Sequence, residues 1–265
     1  MRRVYTQGIS VEEKNLFNFL SEKGNIIFST KEIKAFRLFK NCTTLLMNLK
    51  RKGLITQVER GKYILSNRDV DSFLIGTRLI EPSAIAYSSA LNYYGLTEQI
   101  SNIVHIQTSK RKQNKEILNV RYQFITISPH KFFGIRKEWV GRDFYFITDM
   151  EKTIVDCFDL PEYAGGFTEA VKGLFISHER LDKGKLWHHA LKMENNTLIK
   201  RLGYLSEILE LKGFEDFRAN AAQVLLPKYT LLDPLSSAEG KHLKKWRLIV
   251  NHTESEIYAM ARTAL

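Results

Sequence analysis

Between Lys40 and Leu65 the hydrophobic period changes from 3.6 residues to 2, the pattern of a helix followed by paired strands. Across Lys40–Lys52 the apolar residues fall at Cys42, Leu45, Leu46 and Leu49, one continuous stripe on a helix. The opposite face carries Lys40, Asn41, Thr43, Thr44, Met47, Asn48 and Arg51. Gly53 stands where helices end in a left-handed residue. Leu54–Val58 then reads as a strand, Glu59-Arg60-Gly61-Lys62 as a turn, and Tyr63–Leu65 as the returning strand.

Two shorter helices precede this one. Ser10-Val11-Glu12-Glu13 is a capping box, followed by Leu16, Phe19 and Leu20 at helical spacing and by Gly24 as a stop. Asn25–Phe28 is a short apolar step. Ser29-Thr30-Lys31-Glu32 is a second box, opening a helix that turns Ile33 and Phe36 inward. Three short helices and a hairpin with a basic tip predict a winged helix-turn-helix over residues 1–68, whose third helix enters the major groove while the wing leans on phosphates.

Charge agrees with that assignment. Residues 1–68 hold 14 Lys and Arg against 5 Asp and Glu, whereas residues 69–265 hold 26 against 24, so most of the net +11 lies in the first quarter of the chain. Winged helices also serve as protein-binding modules, and the basic polar face argues against that use here. Asn48 and Arg51 are suited to bidentate contacts with adenine and guanine, and Thr43 and Thr44 to base edges or phosphates, beside Asn41. Lys40, Arg60 and Lys62 suit phosphate positioning, which makes affinity salt-dependent.

A length of 265 residues suggests two domains, and 44% hydrophobic with 26% charged residues excludes disordered, collagenous and disulfide-scaffold classes. Two cysteines, Cys42 and Cys157, form no framework and fit a reducing compartment. Neither a membrane-length apolar run nor a signal peptide is evident, so a cytoplasmic protein is expected.

Residues 69–265 read as a larger α+β domain with a helical C-terminal part. A connector over 66–81 contains a short apolar helix, and Pro82 and Gly95 bracket Pro82–Tyr94 as another. Strands are expected at Ile103–Thr108 and Val120–Ile127, flanking a basic turn at Lys110–Lys115, and at Phe132–Trp139 and Phe144–Thr148. Thr148-Asp149-Met150-Glu151 fits a capping box. Helices are expected at Lys152–Phe158, Phe167–Phe175, Lys185–Met193 and Leu198–Leu211.

No reaction is written in this domain. His178, His188 and His189, with Glu179 and Asp182, match no zinc spacing and read as ordinary surface or core histidines. Neither cysteine belongs to a CxxC pair, and no phosphate-binding glycine fingerprint is present. Asp233, Glu239 and Lys241 have the composition of a metal-dependent nuclease site, but Ser236–Glu239 is also a capping box for a following helix. No cofactor, metal or catalytic residue is assigned.

Several blocks carry a resemblance. Pro82-Ser83-Ala84-Ile85-Ala86-Tyr87, Ala90-Leu91-Asn92-Tyr93, Gly95-Leu96-Thr97, Phe132-Phe133-Gly134-Ile135, Glu151-Lys152-Thr153-Ile154-Val155-Asp156-Cys157, and Pro161-Glu162-Tyr163 with Gly165-Gly166 occur in the order of the AbiEi antitoxin family, which the chain resembles over roughly residues 10–215. The resemblance implies a type IV toxin–antitoxin antitoxin of abortive phage infection, without enzymatic activity. Its winged helix would bind an inverted-repeat operator in double-stranded DNA and repress its own operon. Its counterpart would be a nucleotidyltransferase-like toxin, opposed by antagonism that does not require a stable complex; the antitoxin itself would be a monomer or dimer in solution, paired on DNA and unattached to membrane. Glu151, Lys152, Thr153 and Asp156 match the family motif with no role attached, and Met150 stands where the family pattern has proline. The alternative is a metal-dependent nuclease recruited to nucleic acid by the winged helix.

Overall fold

The computed structural model describes residues 8–23, 27–66 and 70–262; Gly24, Asn25 and Ile26, and the boundary expected after residue 68, lie outside them. The expected box at the first helix is closed by Glu13 N–H donating to Ser10 Oγ at 3.2 Å and Ser10 N–H donating to the Glu13 carboxylate at 2.8 Å. Helix α1 (Val11–Lys23) then buries Leu16 and Leu20. After β1 (Ile27–Ser29), the Ser29/Glu32 box starts α2 (Thr30–Ala35). That helix stops before Phe36, so the expectation of an inward Phe36 is corrected: its ring is 46% exposed and meets Phe19 edge-on at 5.2 Å.

Helix α3 (Cys42–Arg51) buries Cys42, Leu45, Leu46 and Leu49, the full stripe read from the sequence. Gly53, at φ +71°, donates to Lys50 O, and Leu54 N–H donates to Leu49 O at 3.0 Å, the paired bonds of a left-handed helix stop. Strands β2 (Ile55–Glu59) and β3 (Lys62–Leu65) pair antiparallel, and β3 lies between β1 and β2 in one three-stranded sheet. The stripe, Leu16, Leu20, Phe28, Ile33, Tyr63 and Leu65 share a core. Each fully buried Leu or Ile there stabilises by roughly 1.5–3 kcal/mol. Helix α4 (Ser72–Leu79), capped by the Asp71 carboxylate, completes this part.

Next come β4 (Ser83–Ile85), α5 (Tyr87–Tyr93), β5 (Ile103–Thr108), β6 (Lys115–Ile117), β7 (Val120–Thr126), β8 (Ile135–Val140) and β9 (Asp143–Thr148). The strands form a six-stranded sheet in the order β6-β7-β5-β4-β9-β8. The helix expected over Pro82–Tyr94 is corrected by β4: Ser83, Ala84 and Ile85 are all buried, antiparallel to β5 and parallel to β9. Pro82 stands in the bend just before β4, and its missing N–H is no more needed there than at the first position of a helix.

The remainder contains α6 (Met150–Asp159), α7 (Phe167–Ser177), α8 (Lys183–Lys192), α9 (Asn196–Ile208), α10 (Glu215–Val224), β10 (Thr230–Leu231), β11 (Lys241–Leu243), β12 (Leu248–Val250) and α11 (Glu254–Arg262). The cap of α6 is Asp149, whose carboxylate accepts from Lys152 N–H, not Thr148 as expected. The box expected at Ser236–Glu239 starts no helix either. Ser237 Oγ accepts Glu239 N–H in a local turn, and the chain enters β11 with Gly240 pressed against Val250 O.

The chain is a mixed α+β protein. It divides into two compact units, one reaching to Glu81 and including Lys137–Tyr145 from the far part of β8 and β9, the other holding the rest. The first unit thus extends beyond residue 68. No helix among the described residues is long and apolar enough to cross a membrane.

Candidate nucleic-acid interface

The exposed face of α3 is built by the burial of its other side. With Cys42, Leu45, Leu46 and Leu49 fixed in the core, the helical period turns Thr43, Thr44, Met47 and Arg51 to solvent, preceded by Lys40 and Asn41. Asn41 is the N-cap but its side chain caps no backbone N–H. Lys40, Arg51 and Arg60 are exposed, and none pairs with a carboxylate among the described residues. Arg60 sits at the two-residue tip between β2 and β3, and the adjoining Gly61 O accepts Thr30 N–H at 2.8 Å, tying that tip to the start of α2.

Two residues expected on this surface point elsewhere. Asn48 is half-buried, and its amide joins Lys52 in holding the Glu13 carboxyl below the usual carboxylate range; the Lys52 hydrogen bond is the larger influence. The Lys62 ammonium is engaged by partners of its own unit. It donates to Arg78 O at 2.8 Å and Leu79 O at 3.1 Å and pairs with Glu59 at 3.3 Å. Carbonyls at the end of α4 have no helical partner, and a lysine satisfies both charge and hydrogen-bonding there. Lys40, Asn41, Thr43, Thr44 and Arg51, with Arg60, therefore form the outward set.

The residues of the family-like motif lie in the second unit and are buried together. Lys152 and Asp156, one turn apart on α6, form an ion pair at 0% and 2% side-chain exposure. Burial pushes the Asp156 carboxyl up to about 6 against the pull of Lys152, and its Oδ2 has no hydrogen-bond partner among the described residues. Glu151 accepts Asp182 N–H at 3.0 Å and pairs with Lys185 at 2.8 Å. Asp149 meets His189 Nε2 and Lys185 Nζ, each at 3.2 Å. Burial raises the Asp149 carboxyl, but His189, the Lys152 N–H and Lys185 outweigh it and hold the group low. Thr153 Oγ1 lies 2.7 Å from Thr148 Oγ1. Gly134, at φ +63°, presses on Lys152 and His189, where a Cβ would come within about 3 Å of both. These contacts join α6 to α8 and to the loop at Phe133, around the start of a buried helix.

The other chemistry-bearing residues are dispersed. Asp233 accepts Leu235 N–H at 2.8 Å and meets His252 Nε2 at 2.9 Å, while Glu239 and Lys241 are exposed. His178 Nδ1 lies 2.6 Å from Phe175 O, and His188 is adjacent to His189 without sharing its carboxylate. No group of three or more His, Cys, Asp or Glu among the described residues is arranged to hold a metal ion. Sequence reasoning did not reach His105, which is buried against Ser88 Oγ at 2.8 Å with its pKa lowered to about 4 by desolvation.

No protein-family model matches the chain, and no curated protein matches it. Among solved structures it is similar to the crystal structure of the RV2827C protein from Mycobacterium tuberculosis, with a TM-score of 0.66 and 12% identity over 96% of this chain and 95% of that one. At that identity the likeness is one of fold.

Proposed function

We propose that the N-terminal unit is a winged helix-turn-helix that reads duplex DNA through the exposed face of α3, with the β2–β3 hairpin as its wing. One observation supports this above the others: a helix whose buried side is wholly apolar presents Lys40, Asn41, Thr43, Thr44 and Arg51 outward, with no acidic residue in the helix. The order helix, strand, helix, helix, hairpin, with β3 between β1 and β2, supports this reading.

The resemblance to AbiEi antitoxins extends the proposal. The chain acts in the cytoplasm as a non-enzymatic antitoxin and repressor, opposing a nucleotidyltransferase-like toxin encoded beside it and pairing on an inverted-repeat operator. The engaged state of Asp233 and the exposure of Glu239 and Lys241 favour this over a metal-dependent nuclease. A growth-rescue assay tests the antitoxin arm, with the adjacent gene induced alone, with the full chain, and with the chain carrying Lys40→Ala, Arg51→Ala and Arg60→Ala. Rescue by both proteins separates antitoxicity from DNA reading. Failure of the full chain to rescue leaves a DNA-binding regulator without antitoxin activity.

A further inference from the structure

Met47 is 63% exposed and lies at the centre of the outward face of α3. Thr43 and Thr44 precede it by four and three residues and Arg51 follows by four, so all share its side of the helix. The core of this unit is complete without it: Cys42, Leu45, Leu46 and Leu49 fill the inner stripe, and Met47 is absent from the apolar residues packed there. A large apolar side chain surrounded by hydrogen-bonding groups, on a face offered to DNA, matches one feature of the major groove. Thymine alone among the four bases presents a methyl group there, beside acceptors and donors that suit Thr and Arg.

We infer that Met47 reads a thymine 5-methyl group and is a specificity-determining residue of the interface. This rests on the DNA-binding reading of α3. The unbranched thioether adapts to the methyl through three rotatable bonds, while Thr43, Thr44 and Arg51 fix the register around it. Binding buries the methyl and the exposed Met side chain together, and the gain is lost when the methyl is absent.

The test uses the intact protein and the DNA upstream of its own gene, amplified once with thymidine and once with deoxyuridine triphosphate, which removes every thymine methyl and leaves pairing intact. Burial of about one methyl per protomer makes binding to the uracil duplex weaker by roughly four- to fifteenfold for one to two protomers. Met47→Ala binds both duplexes with a ratio near one. Because the side chain is exposed, this variant folds like the parent, which a thermal melt checks. Equal affinity of the parent for both duplexes overturns the inference while leaving DNA binding intact. A preference for thymine that survives in Met47→Ala assigns the methyl contact to another residue and also overturns it. Absence of binding to either duplex rejects the DNA-binding reading itself, and the inference with it.

Discussion

Gly203, in α9, lies flat against the indole of Trp246: a Cβ built on it would stand 2.1 Å from Trp246 Cζ3. The indole is 2% exposed, and its N–H donates to the Glu207 carboxylate, so neither ring nor helix has room to move. Gly203→Ala should lower unfolding stability by about 3 kcal/mol, at the upper end for overpacking. Urea denaturation measures it, and an unchanged midpoint would show that the indole yields.

The Lys152–Asp156 pair is buried too deeply for either charge to stand alone. Lys152→Met leaves the Asp156 carboxylate without its counter-ion and should cost about 3–5 kcal/mol. Lys152→Met with Asp156→Leu should recover most of that loss, because two apolar side chains leave no stranded charge. Additive losses in the double variant would show that the motif does more than hold α6 in place.

Burial lowers the His105 pKa to about 4 from its ordinary 6.5, so between these values the unfolded chain binds the proton and the folded chain does not. Stability therefore rises with pH across that window and is lost as pH falls through it. The expected loss between pH 7 and pH 5 is about 2 kcal/mol. Asp156 acts in the opposite sense, since its pKa of about 6 lies above the ordinary carboxylate value and its burial costs more as pH rises. Comparison of parent and His105→Gln at the two pH values isolates the histidine, and an equal pH dependence in both would contradict its buried neutral state.

Lys62 and Arg60 are two residues apart but should behave differently. Lys62→Ala should lower stability by about 1–3 kcal/mol, through loss of its bonds to Arg78 O and Leu79 O, and leave the salt dependence of DNA binding unchanged. Arg60→Ala should leave stability within about 0.5 kcal/mol of the parent. It should reduce the slope of log affinity against log salt by about 0.9. Reversal of the two phenotypes would return Lys62 to the interface.

Local patterning carried far in this chain. The stripe on α3, both N-terminal capping boxes and the bounds of β5 were legible because each depends on neighbours a few residues away. Lys62 was not, because its partners are carbonyls 16 and 17 residues further on. The contact of the Asn48 amide with Glu13 was not legible for a similar reason, since Glu13 lies far off in the sequence on α1. The short strands β10, β11 and β12 are two or three residues long and carry no periodicity to read. Helix α11 did have a signal, since Thr253 and Glu256 form a box like that of Ser10 and Glu13. The buried network around Lys152 was visible as a motif, but its burial was not, because charged residues are ordinarily read as solvent-facing.

The most direct test of DNA reading by α3 is the affinity of the intact protein for the DNA upstream of its gene, measured over a range of salt concentrations for the parent and for Lys40→Ala/Arg51→Ala/Arg60→Ala. All three side chains are exposed and pair with no carboxylate among the described residues, so the variant should fold normally. The variant should bind far more weakly, with a salt slope lower by about 2–3. A variant that binds with the parent's affinity and the parent's slope would place the exposed face of α3 and the hairpin tip outside the DNA interface and rule out DNA reading by α3.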